Sequence, residues 1–219
     1  MSKRLILTLI LLILLTTYNL EDKNNFSSEI KIKNIIVENN SILKDEDILK
    51  KLSFLYETNI LAMNTNTIKN RLNEISFIES FELKTIYPNT LKIKVFENEP
   101  IVILQNKKEK KFYAENGKVI SFIENEEFSN LPLVFGDQVN FKLFYKNLKK
   151  VNFPINEIKT FYFFESNRWD LLTKKDQRIK LPIQNYNRSL EHFMELKEKA
   201  NFEKFKIFDY RIQNQIILK

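Results

Sequence analysis

The chain opens with an apolar run, and charged sequence of ordinary globular character follows it. Residues 5–15 are apolar except for Thr8, and a softer stretch that contains Tyr18 extends the run to Leu20. A helix over this run would be about 24 Å long, whereas the hydrocarbon core of a bilayer is about 30 Å thick. The run therefore predicts either a short membrane anchor or the apolar part of a cleavable secretory signal.

The residues around the run favour the anchor. The chain leaves the run as TTYNLEDK, which lacks the small-x-small pattern of a signal cleavage site. Lys3 and Arg4 precede the run, and such positive charge is kept on the cytoplasmic side of a membrane. We expect a cytoplasmic tail over residues 1–4, a single transmembrane helix over residues 5–20 and a polar linker over residues 21–29.

The next seventy residues combine strand and helix patterns. Apolar and polar residues alternate at the start of segment 30–37, which is typical of a half-buried strand. Acidic residues at 45–47 suit the first turn of a helix. The order predicts a β-α-α-β-β module. Its predicted elements are strand Ile30–Val37, helix Asp45–Leu55, a helix that starts at Asn64 or Thr65 and buries Ile68, Leu72 and Ile75, and strands Ile78–Ile86 and Leu91–Glu97.

Residues 98–219 predict a mixed β-sheet with helices between its strands, so the fold class is α+β. Asn116 and Gly117 both tolerate positive φ, and Glu115–Lys118 therefore predicts a type I′ hairpin turn. The strand-like segments are rich in β-branched and aromatic residues. The predicted elements are helix Phe141–Lys150, strands Ile155–Phe164, Arg168–Leu172 and Arg178–Pro182, helix Tyr186–Ala200, segment Phe205–Arg211 and strand Gln213–Leu218.

Composition and charge narrow the classes of function. The chain is 43% hydrophobic with 19 Phe and no Cys, so a packed core rather than disulfides must stabilise it. The net charge of +7 is spread among interspersed charges. The densest basic cluster, residues 107–111, is interrupted by Glu109 and predicts a solvated strand edge. We expect attraction to anionic lipid headgroups, and no nucleic acid partner.

Residue types that carry catalysis are scarce. Cys is absent, and His192 lies within a predicted helix without a Ser or Asp at triad spacing. Carboxylate pairs such as Glu97 and Glu99 are typical of polar strand edges, and no His, Asp or Glu cluster has metal-ligand spacing. Gly117 and Gly136 are isolated, so no phosphate-binding loop is present. We predict no catalytic residue, no metal, no cofactor and no small-molecule substrate.

Motifs in the first module resemble a known domain. They are Ile35-x-Val37-x-x-Asn40, Asp47-Ile48, Phe77-Ile78 and Tyr87-Pro88-Asn89-Thr90-Leu91-x-Ile93-x-Val95-x-Glu97-x-x-Pro100. In this order they are similar to the POTRA domain of the FtsQ/DivIB cell-division proteins. Ser76 and Phe77 depart from the Pro and Trp that the family often has there.

The rest of the chain resembles the same family. Leu131-Pro132-Leu133-x-x-Gly136, Arg168-Trp169, Arg178–Pro182 and Asp209-Tyr210-Arg211 follow one another as in its β-domain. The resemblance implies a POTRA domain over residues 30–97 and an FtsQ-type β-domain over residues 98–219.

This resemblance implies a role in cell division. Family members are inner-membrane scaffolds of the divisome that lack catalytic activity and help to control septum assembly and septal peptidoglycan synthesis. Their β-domain binds the paired proteins FtsB and FtsL, and their POTRA domain takes part in recruitment to the division site. The expected location is the inner membrane at the septum, with the amino terminus cytoplasmic and most of the chain periplasmic.

The final strand is the predicted partner-binding site. An uncovered edge strand accepts a strand from another chain through backbone hydrogen bonds. Arg211 is a candidate anchor for a partner carboxylate, although an intramolecular salt bridge is the alternative for it. The outer face of helix 186–200 would border the site. The predicted partner-binding residues are Arg211, Ile212, Gln213, Asn214, Gln215, Ile216, Ile217, Leu218 and Arg168.

Two other functions remain open from the residues. POTRA modules also occur in periplasmic chaperones and assembly factors for outer-membrane or secretion machinery. Pores of that kind need alternating lipid-facing strands, which the charges throughout residues 98–219 disfavour. The second alternative is a periplasmic enzyme that modifies the cell wall, for which carboxylates or His192 would have to share a cleft.

Overall fold

The computed structural model describes residues 3–16, 30–106, 109–199 and 201–219. Several predictions concern residues outside these ranges. They are the linker over residues 21–29, the last part of the anchor over residues 17–20, the first two residues of the tail, Lys107 and Lys108 of the basic cluster, and Ala200 at the end of the predicted helix 186–200.

The chain divides into one unit of residues 1–97 and a second of residues 98–219. In the first unit, helix α1 (Lys3–Thr16) contains most of the apolar run and exposes large side chains such as Leu7 and Leu14. Among the described residues, no helix combines the length and the apolar character that crossing a membrane requires.

The predicted β-α-α-β-β order of the first module is confirmed. A 3₁₀ turn over Ser53–Leu55 continues the first of its two helices. The elements are β1 (Asn34–Glu38), α2 (Asp45–Lys51), α3 (Thr65–Asn73), β2 (Ile78–Ile86) and β3 (Thr90–Glu97). Strand β1 pairs in parallel with β3, and β2 pairs with β3 on the other side in an antiparallel arrangement.

Local chemistry explains where the two helices begin. The Asn64 side chain accepts hydrogen bonds from the backbone N–H groups of Asn66 (2.9 Å) and Thr67 (3.3 Å), so Asn64 caps α3. Lys44 precedes α2 and makes no side-chain cap. The three acids at 45–47 compensate, because negative charge in the first turn interacts favourably with the helix dipole.

The first strand is shorter than predicted at its amino-terminal end. Segment 30–32 pairs with segment 58–60 instead of with the sheet. The N–H of Ile32 donates to the carbonyl of Thr58 at 2.9 Å, and the N–H of Ile60 donates to the carbonyl of Ile30 at 2.9 Å. Ile32 and Ile60 are therefore buried although they lie outside the sheet.

The side-chain carboxylate of Glu97 stabilises the other end of this module by accepting several hydrogen bonds. The Glu97 carboxylate accepts the backbone N–H groups of Ser41 (2.9 Å), Ile42 (2.9 Å) and Leu43 (2.8 Å), and it also accepts the Ser41 hydroxyl (2.8 Å). Burial by itself would raise the pKa of Glu97, but the hydrogen bonds from Ile42, Leu43 and Ser41 together lower it below 4.5. The last residue of β3 thus fixes the loop between β1 and α2.

The second unit is built on a mixed nine-stranded sheet with flanking helices, as predicted. The elements are β4 (Pro100–Gln105), β5 (Lys110–Ala114), β6 (Val119–Ser121), β7 (Leu133–Phe135), α4 (Gln138–Lys150), β8 (Ile158–Phe164), β9 (Arg168–Thr173), β10 (Arg178–Lys180), α5 (Tyr186–Lys197), β11 (Ile207–Asp209) and β12 (Ile217–Leu218). The strand order in the sheet is β12-β11-β10-β9-β8-β7-β4-β5-β6.

The two faces of this sheet differ in character. Helices α4 and α5 cover one face, where Phe144 stacks on Trp169 at 4.6 Å and Phe193 meets Phe208 edge-on at 5.0 Å. We call the opposite side the open face. One row on the covered face is Leu104, Val134, Phe161, Leu171, Ile179, Phe208 and Leu218, and the adjacent row on the open face is Gln105, Phe135, Tyr162, Asp170, Lys180, Asp209 and Ile217.

The predicted type I′ turn between β5 and β6 was wrong. The N–H of Gly117 donates to the carbonyl of Ala114 at 2.9 Å, and the N–H of Ala114 donates to the carbonyl of Lys118 at 2.9 Å. Gly117 has a φ of 89°, whereas Asn116 is not in the positive-φ region. A three-residue loop with one left-handed Gly therefore closes the hairpin.

The predicted final strand was too long. Segment Ile212–Gln215 forms a turn, in which the N–H of Gln215 donates to the carbonyl of Ile212 at 3.2 Å and Asn214 has a φ of 59°. Asn tolerates this conformation through its short polar side chain. The strand itself contains only Ile217 and Leu218.

We predict that Glu97→Gln destabilises the first module at neutral pH by about 1 kcal/mol, because an amide oxygen satisfies fewer of the three N–H groups. The folded-state pKa of Glu97 lies below its unfolded value. Its contribution to stability is therefore present above about pH 4.5 and lost as the pH falls through the folded-state pKa. Urea unfolding of the wild type and the variant should differ at pH 7 and converge at acidic pH.

Glu99→Gln is the matched control, since Glu99 is exposed. In NMR spectra of the wild type, the amide protons of Ile42 and Leu43 should titrate with a midpoint below pH 4.5. Amide shifts that titrate equally in Glu97→Gln would contradict this account.

Candidate partner-binding site

Strand β12 lies at one edge of the nine-stranded sheet. Lys219 and Ile207 exchange both backbone hydrogen bonds, at 3.1 Å and 3.0 Å. Antiparallel strands alternate hydrogen-bonded and non-hydrogen-bonded pairs, so the next pair, Phe208 and Leu218, is non-hydrogen-bonded. The N–H and the carbonyl of Leu218 therefore point away from β11. Among the described residues, no further strand pairs with this side of β12.

The side chains of the predicted final strand divide between the two faces. Ile216 and Leu218 are partly buried and pack against the core under the helices. Ile217 lies on the open face and is 37% exposed. A second chain that paired with β12 would therefore meet backbone groups along the edge and Ile217 on the open face.

The turn before β12 presents polar and apolar groups together. Ile212 is 50% exposed, and Gln213, Asn214 and Gln215 are also exposed. These residues line a groove of about 710 Å³ that runs between the turn and helix α5. Arg188, Ser189 and His192 from the predicted outer face of the helix also line the groove, and so do residues 182–185 of the loop before it.

Arg211 is held in place by its neighbour two residues earlier. Its Nε donates to Asp209 Oδ1 at 2.8 Å and its Nη2 donates to Oδ2 at 2.6 Å. The hydrogen bond from the Arg211 guanidinium lowers the pKa of the Asp209 carboxyl, although burial opposes this effect. The Arg211 side chain is nevertheless 44% exposed. A guanidinium has five N–H donors, so donors remain for a second carboxylate.

Arg168 makes a similar but more buried pair. Its Nε donates to Asp170 Oδ1 at 3.1 Å, and its guanidinium lies over the Phe164 ring at 4.5 Å. Burial raises the pKa of the Asp170 carboxyl, and Arg168, Lys180 and Arg211 oppose that shift in part. The Arg168 side chain is 23% exposed. Arg168 therefore reaches the groove with less of its surface than Arg211 does.

More basic than acidic side chains line the groove. Arg168, Arg188 and Arg211 line it, while the acids that pair with two of them, Asp170 and Asp209, lie beneath on the open face. Bidentate guanidinium groups are suited to carboxylates. The arrangement can bind an extended acidic segment. Among the described residues, no group of His, Asp and Glu side chains has the placement of a metal site.

The structure brings together all nine predicted partner-binding residues at one end of the sheet, and it adds Arg188 and Ile183, which the sequence did not single out, and His192, which the sequence singled out only as a candidate for catalysis. Arg188 and His192 are four residues apart on α5, and Ile183 precedes the helix with 56% exposure. The helical spacing of Arg188 and His192 was available from sequence. No sequence pattern pointed to Ile183, because its place in the groove depends on how its loop meets the turn at 212–215.

Tyr210 lies under the groove with its polar end buried. It is 6% exposed, its ring meets His192 edge-on at 5.8 Å, and its hydroxyl has no hydrogen-bond partner among the described residues. Burial raises the pKa of the Tyr210 hydroxyl, and the charge of Glu195 adds to this shift. The hydroxyl stays protonated at physiological pH and cannot act as a base.

Comparisons with known proteins agree with this architecture. The family model described as "POTRA domain, FtsQ-type" matches residues 30–98, and the model "Cell division protein FtsQ/DivIB, C-terminal" matches residues 102–211. The chain belongs to the FtsQ/DivIB family of cell-division proteins. Both units of this FtsQ/DivIB chain are thus matched separately and in the family's order.

Named relatives support the same family. "Cell division protein FtsQ" of Rickettsia bellii (strain RML369-C) is 31% identical over 195 residues, which are 86% of this chain and 72% of the relative. The protein of the same name from Rhizobium meliloti (strain 1021) is 24% identical over 161 residues, 73% of this chain and 52% of that protein.

A solved structure of the major extracytoplasmic domain of DivIB from Geobacillus stearothermophilus is 13% identical. It covers 44% of this chain and 88% of its own, with a TM-score of 0.33. A likeness at this level does not bear on the assignment.

We predict that Tyr210→Phe leaves the stability of the second unit unchanged or raises it by up to about 1 kcal/mol, because the substitution removes a buried hydroxyl that lacks a partner. Tyr186→Phe is the matched control. It removes a hydroxyl that accepts a hydrogen bond from Asn147 Nδ2 at 2.6 Å, and it should cost about 1 kcal/mol. Urea unfolding followed by the fluorescence of Trp169 measures both. A loss of stability in Tyr210→Phe as large as in Tyr186→Phe would contradict the assignment.

Proposed function

We propose that this FtsQ/DivIB chain is a single-pass inner-membrane scaffold of the divisome that binds the FtsB/FtsL pair through strand β12. The observation that carries the proposal is the open edge of β12 beside a groove lined by three arginines. An open strand edge supplies affinity through backbone hydrogen bonds, and charged groups beside it select the partner and its register.

The residues have separate roles in this proposal. Leu218 supplies the outward N–H and carbonyl, and Ile217 contacts side chains of the added strand on the open face. Arg211 binds a partner carboxylate from the position that Asp209 gives it, and Arg168 adds a weaker contact. The turn residues Ile212, Gln213, Asn214 and Gln215 form the near wall of the groove, and Ile216 supports them from the core.

We propose the following organisation around this site. Residues 1–4 are a cytoplasmic tail, 5–20 a transmembrane anchor, 21–29 a linker, 30–97 the POTRA domain and 98–219 the β-domain. The apolar run and the positive charges before it support the orientation with the amino terminus in the cytoplasm. The bulk of the chain is periplasmic and concentrated at the division septum, with the POTRA domain assisting recruitment.

The proposed contribution to septal peptidoglycan synthesis is made by binding and not by catalysis. The carboxylates around the groove, Asp170 and Asp209, each pair with an arginine. Glycosidase chemistry needs two carboxylates that flank a bond with room for substrate between them. The chain therefore regulates septum assembly by holding its partners and not by acting on the cell wall itself.

We predict that Arg211→Gln weakens binding of the FtsB/FtsL pair about tenfold, which corresponds to about 1.4 kcal/mol, because the substitution removes a charge-assisted contact that is only partly desolvated. The test measures the dissociation constant with the full chain in lipid nanodiscs and the partner pair from the same organism. Binding of the variant should also depend less on salt than binding of the wild type.

Arg178→Gln is the matched control, because Arg178 is an exposed arginine on the same sheet that does not line the groove. It should bind the pair as the wild type does. The fluorescence of Trp169 checks that both variants remain folded. Equal affinities of the two variants in folded protein would overturn the role of Arg211.

A further inference from the structure

We propose that the end of the POTRA domain at which the chain enters it docks on the anionic lipid surface of the membrane. This inference rests on the proposed anchor and goes beyond it, since an anchored domain need not touch lipid. Three segments form the docking end, which we call the proximal end. They are 30–34, 53–62 and 86–90, and backbone hydrogen bonds join them.

The hydrogen bonds place these segments side by side. The N–H of Glu57 donates to the carbonyl of Ile32 at 3.0 Å, and Lys31 forms an antiparallel bridge with Asn59. The N–H of Lys33 donates to the carbonyl of Asn89 at 2.9 Å, which brings the hairpin between β2 and β3 to the same end. Because β1 and β3 are parallel, both strands start at this end and finish at the other.

Large apolar and aromatic side chains are exposed on these segments. Leu61 is 63% exposed and Tyr87 is 61% exposed, and Phe54, Tyr56 and Ile86 are each exposed by about 40%. Single exposed apolar residues need no explanation, but several on adjoining loops at one end of a small domain form a patch. Tyrosine and aliphatic side chains of this kind are favoured in the interfacial region of a bilayer.

The charge distribution fits a lipid surface. Lys31, Lys33 and Lys84 lie at or near the proximal end, together with Glu57. The distal end, where β1 and β3 finish, is acidic. It holds Glu38, Asp45, Glu46, Asp47 and Glu97 with Lys44 and Lys94. Anionic headgroups attract basic groups within about a Debye length. The difference in charge between the two ends therefore favours the orientation in which the proximal end faces the membrane.

The length of the connection keeps this end within reach of lipid. About ten peptide steps separate the end of the proposed anchor at Leu20 from Ile30, and they span at most about 35 Å when fully extended. A patch of lysines, tyrosines and aliphatic residues held so near a bilayer has the composition of an interfacial contact. The occupant that these observations favour is therefore the lipid surface itself.

The test uses single cysteines, which the chain permits because it contains none. Leu61→Cys and Tyr87→Cys carry an environment-sensitive fluorophore at the proximal end, and Glu46→Cys carries it at the distal end. Each full-length variant is reconstituted into vesicles of phosphatidylethanolamine and phosphatidylglycerol that contain a lipid with a spin label near the headgroup. The two proximal fluorophores should shift their emission to the blue and lose intensity to the quencher, and the distal fluorophore should do neither.

Charge reversal tests the electrostatic part. Lys33→Glu with Lys84→Glu should reduce quenching of the fluorophore at position 61. Loss of one lysine at low salt changes the docking equilibrium roughly fivefold, and each reversal should exceed that factor because it also adds a repelled negative charge.

Three outcomes would overturn the proposal in different ways. Carbonate extraction tests the anchor, because an anchored chain stays in the membrane. If the chain resists extraction but position 61 is quenched no more than position 46, or not at all, docking is wrong and the anchor stands. If carbonate extracts the chain, both the anchor and the docking are wrong. If the thiol of Leu61→Cys is shielded from a soluble maleimide in cells but its fluorophore is unquenched in pure lipid, the patch binds a protein and lipid docking is wrong.

Discussion

The organisation of the β-domain depends on one constraint, which is that helices α4 and α5 cover only one face of the nine-stranded sheet. On the other face, the 3₁₀ turn that contains Phe128 packs on Phe112 of β5, and among the described residues the strands from β9 to β12 have no such cover. The apolar row from Leu104 to Leu218 on the covered face holds the sheet together through packing against α4 and α5. The adjacent row lies on the open face and carries Asp170, Lys180 and Asp209 on neighbouring strands. The same alternation that buries Phe208 therefore places Asp209 where it can orient Arg211.

Most of the fold follows from local pattern, and the exceptions have definite causes. Strand Ile78–Ile86 has its predicted bounds, because its neighbour β3 alternates cleanly and the hairpin turn fixes the register. The final strand was predicted too long, because segment 212–215 contains no Gly or Pro and reads as strand. What ends the strand there is Asn214 in a left-handed conformation, which sequence patterns indicate only weakly.

The geometry of the candidate site was predictable in part. The residues indicated an edge strand at its position, the resemblance to the family implied a partner contact for Arg211, and the structure adds that Asp209 holds the guanidinium. That pair shows that the intramolecular salt bridge and the anchor are compatible, because the side chain remains half exposed. The contribution of Ile183 could not be predicted, since it arises from two loops that are far apart in the chain and meet only in the folded sheet.

A partner strand that adds to the open side of β12, as we propose, must hydrogen-bond to its outward backbone groups, and hydrogen exchange of single amides tests this most directly. In the free chain the N–H of Leu218 points away from β11 and should exchange readily, whereas the N–H of Lys219 donates to Ile207 and should be protected. Binding of the FtsB/FtsL pair should slow exchange at Leu218 and leave Lys219 little changed. Rapid exchange at Leu218 in the saturated complex would contradict strand addition at this edge.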